Sequence, residues 1–266
     1  MAKLKDCKRI VVKVGTSTLT HESGSLNIRR MEGIVRILSD FKNSGHEIVL
    51  VSSGAVSAGI AKTKLGRRPA SVMEKQAMAA VGQSELMRMY DRFFSEYGHT
   101  VAQILMTKDV IDDEQRRHAC EDTFKTLIGM GCIPIVNEND SVSADGIKFG
   151  GNDTLAAYVA LVSDADILLN LSDIDGLYDS DPRKNPNARL IPTVEEITEE
   201  VLSMAGGSGT DRGTGGMATK LEAARIVTEA GIPMYIMNGH DPDVLYRLYD
   251  GENIGTYFCS KKGEMR

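Results

Sequence analysis

Arg9-Ile10-Val11-Val12-Lys13-Val14-Gly15-Thr16-Ser17 sets the class of this chain. Its first six residues form a short, largely β-branched apolar run that stops at a glycine and two hydroxyl residues, the signature of a strand buried on both faces and ending in a turn. Lys13 interrupts that run. A lysine inside such a strand needs a partner, because burying an unpaired ammonium is costly.

The same pattern recurs outward from this stretch. Strands are expected at 9–14, 47–51, 100–106, 132–136, 166–171 and 233–237. Amphipathic, helix-length segments lie between and after them, at 27–43, 70–97, 114–130, 154–162, 194–205, 216–230 and 242–249. Strands separated by helices imply βαβ units and a mostly parallel sheet covered on both faces. Gly82 lies inside the 70–97 segment and is expected to divide it.

Five strands run directly into small, glycine, acid or amide residues: Gly15-Thr16-Ser17, Ser52-Ser53-Gly54-Ala55, Asn137-Glu138-Asn139-Asp140, Ser172-Asp173-Ile174-Asp175-Gly176 and Asn238-Gly239. Ligands of open parallel sheets bind beyond the carboxyl ends of the strands. Five such ends place a site along that edge. The turn after Lys13 is neither G-x-x-x-x-G-K-[ST] nor G-x-G-x-x-G. Its glycine and the adjacent lysine are suited to phosphate oxygens. Gly213-Thr214-Gly215-Gly216-Met217-Ala218-Thr219-Lys220 opens a helix, where backbone N–H groups and the helix dipole favour an anion and Lys220 adds full charge. Two such turns meeting in space would clamp a polyphosphate.

Each of the remaining motifs has a plainer alternative. Ser53 can cap a helix or hold a carboxylate. Asp140 can shape a turn or take an ammonium. Asn152 or Asp153 is a natural N-cap for the 154–162 helix, and Asn152 could also contact a ligand. Asp173-Ile174-Asp175-Gly176 resembles a calcium loop only loosely, because the terminal glutamate of that motif is missing. The polar stretches 141–152 and 205–216 are candidate lids or simple surface loops. No metal-ligand spacing and no Ser-His-Asp order is present among the five histidines.

The 266 residues suffice for one large core or two closely associated lobes. A net charge of −6 with no long basic run argues against nucleic-acid or membrane-surface binding. Cys7, Cys120, Cys132 and Cys259 are scattered, which fits free thiols in a reducing cytoplasm. The basic N-terminus is a poor signal peptide, and no apolar stretch reaches membrane-spanning length.

Taken in order, these motifs resemble those of the amino acid kinase superfamily. The matching segments are 11–17, 51–56, 75–83, 136–140, 151–153, 173–178 and 213–220. Lys75-Gln76-Ala77-Met78-Ala79-Ala80-Val81-Gly82-Gln83, with Asn137–Asp140, resembles the branch that phosphorylates the side-chain carboxylate of glutamate. The resemblance implies a single three-layer αβα domain over 1–266, with an amino-acid lobe (about 1–165) and an ATP lobe (about 166–266); many members of the family carry an added C-terminal module of the RNA-binding type, which is not expected here.

It further implies that Lys13, Gly15, Ser172, Asp173, Thr214, Gly215, Gly216, Met217 and Lys220 contact ATP, entering with Mg²⁺. Lys13, Lys220 and Asp173 would carry catalysis, Asp173 by orienting a lysine. Ser53, Gly54, Asp140, Asn152 and Asp153 would hold L-glutamate. A cytoplasmic homodimer or homotetramer, working upstream of a glutamyl phosphate reductase, is the implied setting. Sister kinases for N-acetylglutamate, aspartate or nucleoside monophosphates, and a non-catalytic ATP and amino-acid sensor, remain open at this point. An acidic partner such as Asp140 suits a free-amino substrate.

Overall fold

A computed structural model describes residues 3–143, 148–204 and 216–261. Its strands are β1 (Arg9–Val14), β2 (Glu47–Ser52), β3 (Val101–Met106), β4 (Ile133–Glu138), β5 (Ile167–Ser172), β6 (Thr193–Val194), β7 (Met234–Asn238) and β8 (Thr256–Phe258). They form one sheet in the order β3-β4-β2-β1-β5-β7-β8-β6. All pairings are parallel except β7 with β8. The helices are α1 (Thr16–Leu19), α2 (Ile28–Asn43), α3 (Ala55–Thr63), α4 (Val72–Glu96), α5 (Asp109–Asp112), α6 (Glu114–Gly129), α7 (Asn152–Val162), α8 (Glu199–Met204), α9 (Met217–Glu229) and α10 (Val244–Tyr249).

Alternation along the strands makes two cores. Ile10, Val12 and Val14 of β1 face one layer with α2, α3, α4 and α10. Val11 faces the other, with α6, α7 and α9. β2 and β5 divide the same way: Leu50 and Leu169 join the first core, Val51 and Leu168 the second. Every residue of β5 is buried, as a strand covered on both faces should be. This is the three-layer αβα sandwich.

Helix boundaries follow local chemistry. Asn27 Oδ1 accepts from Arg30 N and starts α2, whose Met31, Ile34, Val35, Leu38 and Phe41 recur at helical spacing and are buried. Ser71 Oγ accepts from Glu74 N to start α4. Asp113 does the same for Arg116 N at α6.

Several expectations need correction. Gly82 does not divide its helix, because α4 runs unbroken from Val72 to Glu96. A Cβ at Gly82 would lie 1.7 Å from the Ala55 carbonyl oxygen, and one at Gly59 would lie 1.9 Å from the Met78 carbonyl oxygen. These glycines let α3 and α4 touch backbone to backbone. The 194–205 segment is not helical from its start: Val194 ends β6 and the helix begins at Glu199. Tertiary pairing with β8 overrides the helical pattern there. Ser53 and Asn152 are not caps either. The N-cap positions are Gly54, at φ 95°, and Gly151, and neither carries a side-chain cap. The very short β6 and β8 have too few residues to show a period.

Candidate active site

Register brings the strand ends into line. Val14 pairs with Ser52 on one side and Leu171 on the other, and Ser172 pairs with Asn238. Gly15 N donates to Leu171 O at 3.2 Å, and Ser53 N donates to Val14 O at 3.0 Å. The turns after β1, β2 and β5 therefore share one edge of the sheet.

Lys13, on β1, points to the α7 and α9 side and is 5 % exposed. Asp153, in the first turn of α7, and Lys220, in the first turn of α9, are 2 % and 4 % exposed. Lys13 Nζ lies 2.6 Å from Asp153 Oδ1, and Lys220 Nζ lies 3.1 Å from Asp153 Oδ2. Two further donors complete the carboxylate: Asn170 Nδ2 at 2.8 Å and Thr219 Oγ1 at 3.0 Å. Asn170 pairs in register with Lys13 on the adjacent strand.

The electrostatics follow from that geometry. Burial by itself would raise the Asp153 carboxyl, but Lys13 and Lys220 hold it well below the usual carboxylate range. Burial lowers the Lys13 ammonium below its ordinary value; Asp153 opposes this, and the like charge of Lys220 adds to it. Two ammonium groups share one carboxylate. The charge of Asp173 also reaches Lys13. Two buried lysine side chains brought together at the strand-end edge suit an anionic ligand.

Asp153, which was expected at the amino acid, is in ion-pair contact with both lysines; Asp173, the expected orienter, acts on Lys13 through its charge. Asp173 follows β5 directly and accepts from Ser172 Oγ at 3.1 Å. Gly216 and Met217 open α9. Thr214 and Gly215, and most of the candidate lid 205–216, lie outside the described residues, as do 144–147 of the other candidate lid.

A second group of side chains stands at the ends of β2 and β4. Asn152 Nδ2 donates to Ser52 O, Ser53 Oγ and Asn137 Oδ1, each at 3.0 Å. A carbonyl can only accept, so the contact with Ser52 O fixes which amide atom is nitrogen. Among the described residues, no donor reaches Asn152 Oδ1. Ser53 Oγ accepts from Asn152, which leaves its O–H to donate elsewhere. Asp140 follows β4, half-buried. Burial and the charge of Glu138 push its carboxyl above the ordinary value, against Lys75 and Lys148.

Sequence reasoning missed Asn170 and Arg30 as parts of this edge, and named Thr219 only within its motif, without its bond to Asp153. Asn170 carried a signal, being a polar residue in an otherwise apolar strand. Arg30 carried none: its guanidinium joins the turn after β1 to the turn after β7, donating to Thr18 O at 2.8 Å and His240 O at 3.0 Å.

Known proteins place the chain in a family. The model of the amino acid kinase family matches residues 8–238. Glutamate 5-kinase of Clostridium perfringens is 53 % identical over 98 % of both chains. That of Listeria monocytogenes is 47 % identical over 98 % of this chain and 96 % of its own. That of Carboxydothermus hydrogenoformans is 51 % identical over 97 % of this chain but only 70 % of its own length. Among solved structures, a UMP kinase of Bacillus anthracis superposes at a TM-score of 0.65 with 19 % identity, covering 96 % of this chain and 97 % of that one. The isopentenyl phosphate kinase of T. acidophilum gives 0.64 with 17 % identity, covering 94 % and 99 %. At those identities the structures speak for the fold alone. The chain belongs to the amino acid kinase family, within its glutamate 5-kinase branch.

Proposed function

We propose that this chain transfers the γ-phosphoryl group of ATP to the γ-carboxylate of L-glutamate, forming L-glutamyl 5-phosphate and ADP, the first step of proline biosynthesis from glutamate. The observation that carries the chemistry is the buried pair of ammonium groups held by one carboxylate. Such a cluster is preorganised for charge that develops on a transferring phosphoryl group.

In this reading Lys13 and Lys220 contact the phosphates, aided by Gly15, Thr214, Gly215, Gly216 and Met217. Asp153 keeps the two lysines in place, and Ser172 and Asp173 face the nucleotide. The nucleotide enters as its magnesium complex, so the metal is part of the substrate. Ser53 and Gly54 receive a glutamate carboxylate, Asp140 takes the ammonium, and Asn152 Oδ1 accepts from the same group. The attacking γ-carboxylate is ionised at neutral pH and needs no general base. Alignment and charge neutralisation then supply the rate. The acyl phosphate is open to attack by water, which fits hand-over to a glutamyl phosphate reductase. We place the protein in the cytoplasm as a homo-oligomer, with residues of about 1–165 serving the amino acid and about 166–266 the nucleotide.

The test is incubation with ATP, Mg²⁺ and L-glutamate, trapping the product with hydroxylamine. Glutamyl hydroxamate matched by ADP is the expected result. Hydroxamate from N-acetylglutamate or aspartate instead would move the substrate and keep the mechanism, and absence of ADP with every acid would overturn the reading.

A further inference from the structure

One stretch singled out by resemblance, 75–83, has no part in the roles above, yet it forms one face of α4 against the amino-acid half of the site. Gln83 Oε1 accepts from Asn137 Nδ2 at 2.9 Å. Asn137 Oδ1 in turn accepts from Asn152 Nδ2 at 3.0 Å and from Glu138 N at 2.9 Å. At the outer end, Gln83 Nε2 donates to Gln103 Oε1 at 3.1 Å. Every step has one direction: an amide nitrogen donates and an amide oxygen accepts, starting from the contact of Asn152 with the Ser52 carbonyl. One helical turn pair earlier, Gln76 Nε2 donates to Ser143 O at 3.2 Å. Ser143 is buried, and its Oγ donates to Glu138 Oε1 at 2.9 Å. Lys75, from the same face, acts on Asp140 through its charge.

The inward contacts of Gln83, Gln76 and Lys75 lead through Asn137, Ser143 and Glu138 to Asn152 and Asp140, while none of the three α4 side chains is itself placed at the substrate. We propose that the 75–83 face of α4 is the positioning element of the amino-acid half-site, and that Gln83 fixes Asn137, which holds Asn152 with its oxygen turned toward the substrate ammonium. Gln83 is thus a positioning residue and not a catalytic one. The proposal rests on the reading of Asn152 as a substrate contact.

The acceptor atom is what matters, and this separates the role from simple packing. Gln83→Met keeps the length of the side chain and removes the acceptor. Gln83→Glu keeps an acceptor for Asn137 Nδ2, and exposed Gln103 can turn its own amide to donate to it. Kinetics would be measured for both variants on the acid that the wild-type protein phosphorylates, with thermal unfolding recorded alongside. Loss of one hydrogen bond of typical net strength corresponds to roughly a fivefold effect. Gln83→Met is therefore expected to raise the KM for the acid about fivefold, with the KM for ATP unchanged, while Gln83→Glu stays within about twofold of wild type. Equal effects of the two variants, or a matching rise in the KM for ATP, would overturn the proposal. A wild-type protein that phosphorylates some acid other than glutamate would overturn the substrate reading and leave this comparison decisive on that other acid.

Discussion

Replacing Gly82 by alanine tests the backbone contact that sets α3 against α4. In an open helix interior this change stabilises, since alanine exceeds glycine in helix propensity by about 1 kcal/mol. Here the added methyl would lie 1.7 Å from the Ala55 carbonyl oxygen and 2.5 Å from the Gly59 nitrogen. Real Cβ contacts essentially never fall under 3.0 Å, so the helices must separate by at least the difference, 3.0 − 1.7 = 1.3 Å. Both obstructing atoms are backbone, so no side-chain rotation relieves the clash. Overpacking of this kind costs about 1–3 kcal/mol or more. With the upper figure and the propensity gain subtracted, the net loss is about 2 kcal/mol, or a Tm fall of roughly 4–8 °C for a chain of this size.

The displacement reaches the site as well. Ala55 begins α3 directly after Ser53 and Gly54, so an outward shift of α3 moves Ser53 away from Asn152. The KM for glutamate should rise at unchanged KM for ATP. Gly129, the last residue of α6, has nothing within 4 Å of its Cβ position and serves as the control. Gly129→Ala should hold or raise Tm. A Gly82→Ala protein with unchanged or higher Tm would refute the claim that the two helices touch there.

Lys220→Ala should lower kcat by on the order of 10²-fold or more, the scale of losing one preorganised charge-stabilising donor. Because the Lys220 charge lowers the Lys13 ammonium, its removal should also shift the alkaline limb of the residual activity to higher pH, which a pH–rate profile reads directly. Asp153→Asn leaves two buried ammonium groups without their carboxylate. A stability loss of about 3–5 kcal/mol near pH 7 is expected in denaturant titration, and the loss should shrink at pH values above the lowered Lys13 pKa, where that lysine is neutral. The Asp140 pKa is raised, so the ionised carboxylate opposes folding at neutral pH and protonation on acidification relieves it. Asp140→Asn should therefore keep or raise Tm while raising the KM for glutamate. In the wild type that KM should climb on acidification at a higher pH than an ordinary aspartate would give, with the KM for ATP trailing behind.

Composition, periodicity and turn chemistry are local properties, and they were enough for the alternating elements, the doubly covered strands and the site edge at the strand ends. Lys13 and Asn170 were readable as anomalies, since a polar side chain in a doubly covered strand has no other reason to be there. What the chain alone left undecided was partnership. Asp153 and Lys220 meet although 67 residues separate them, because α7, over β1 and β5, packs beside α9, over β7. That contact depends on sheet order and crossover, which no short window of residues contains. The same holds for Gly82, which weighs against a helix by propensity and becomes the condition for one once α3 lies against it. Propensity is worth about 1 kcal/mol per residue, and a backbone contact at van der Waals distance outweighs it.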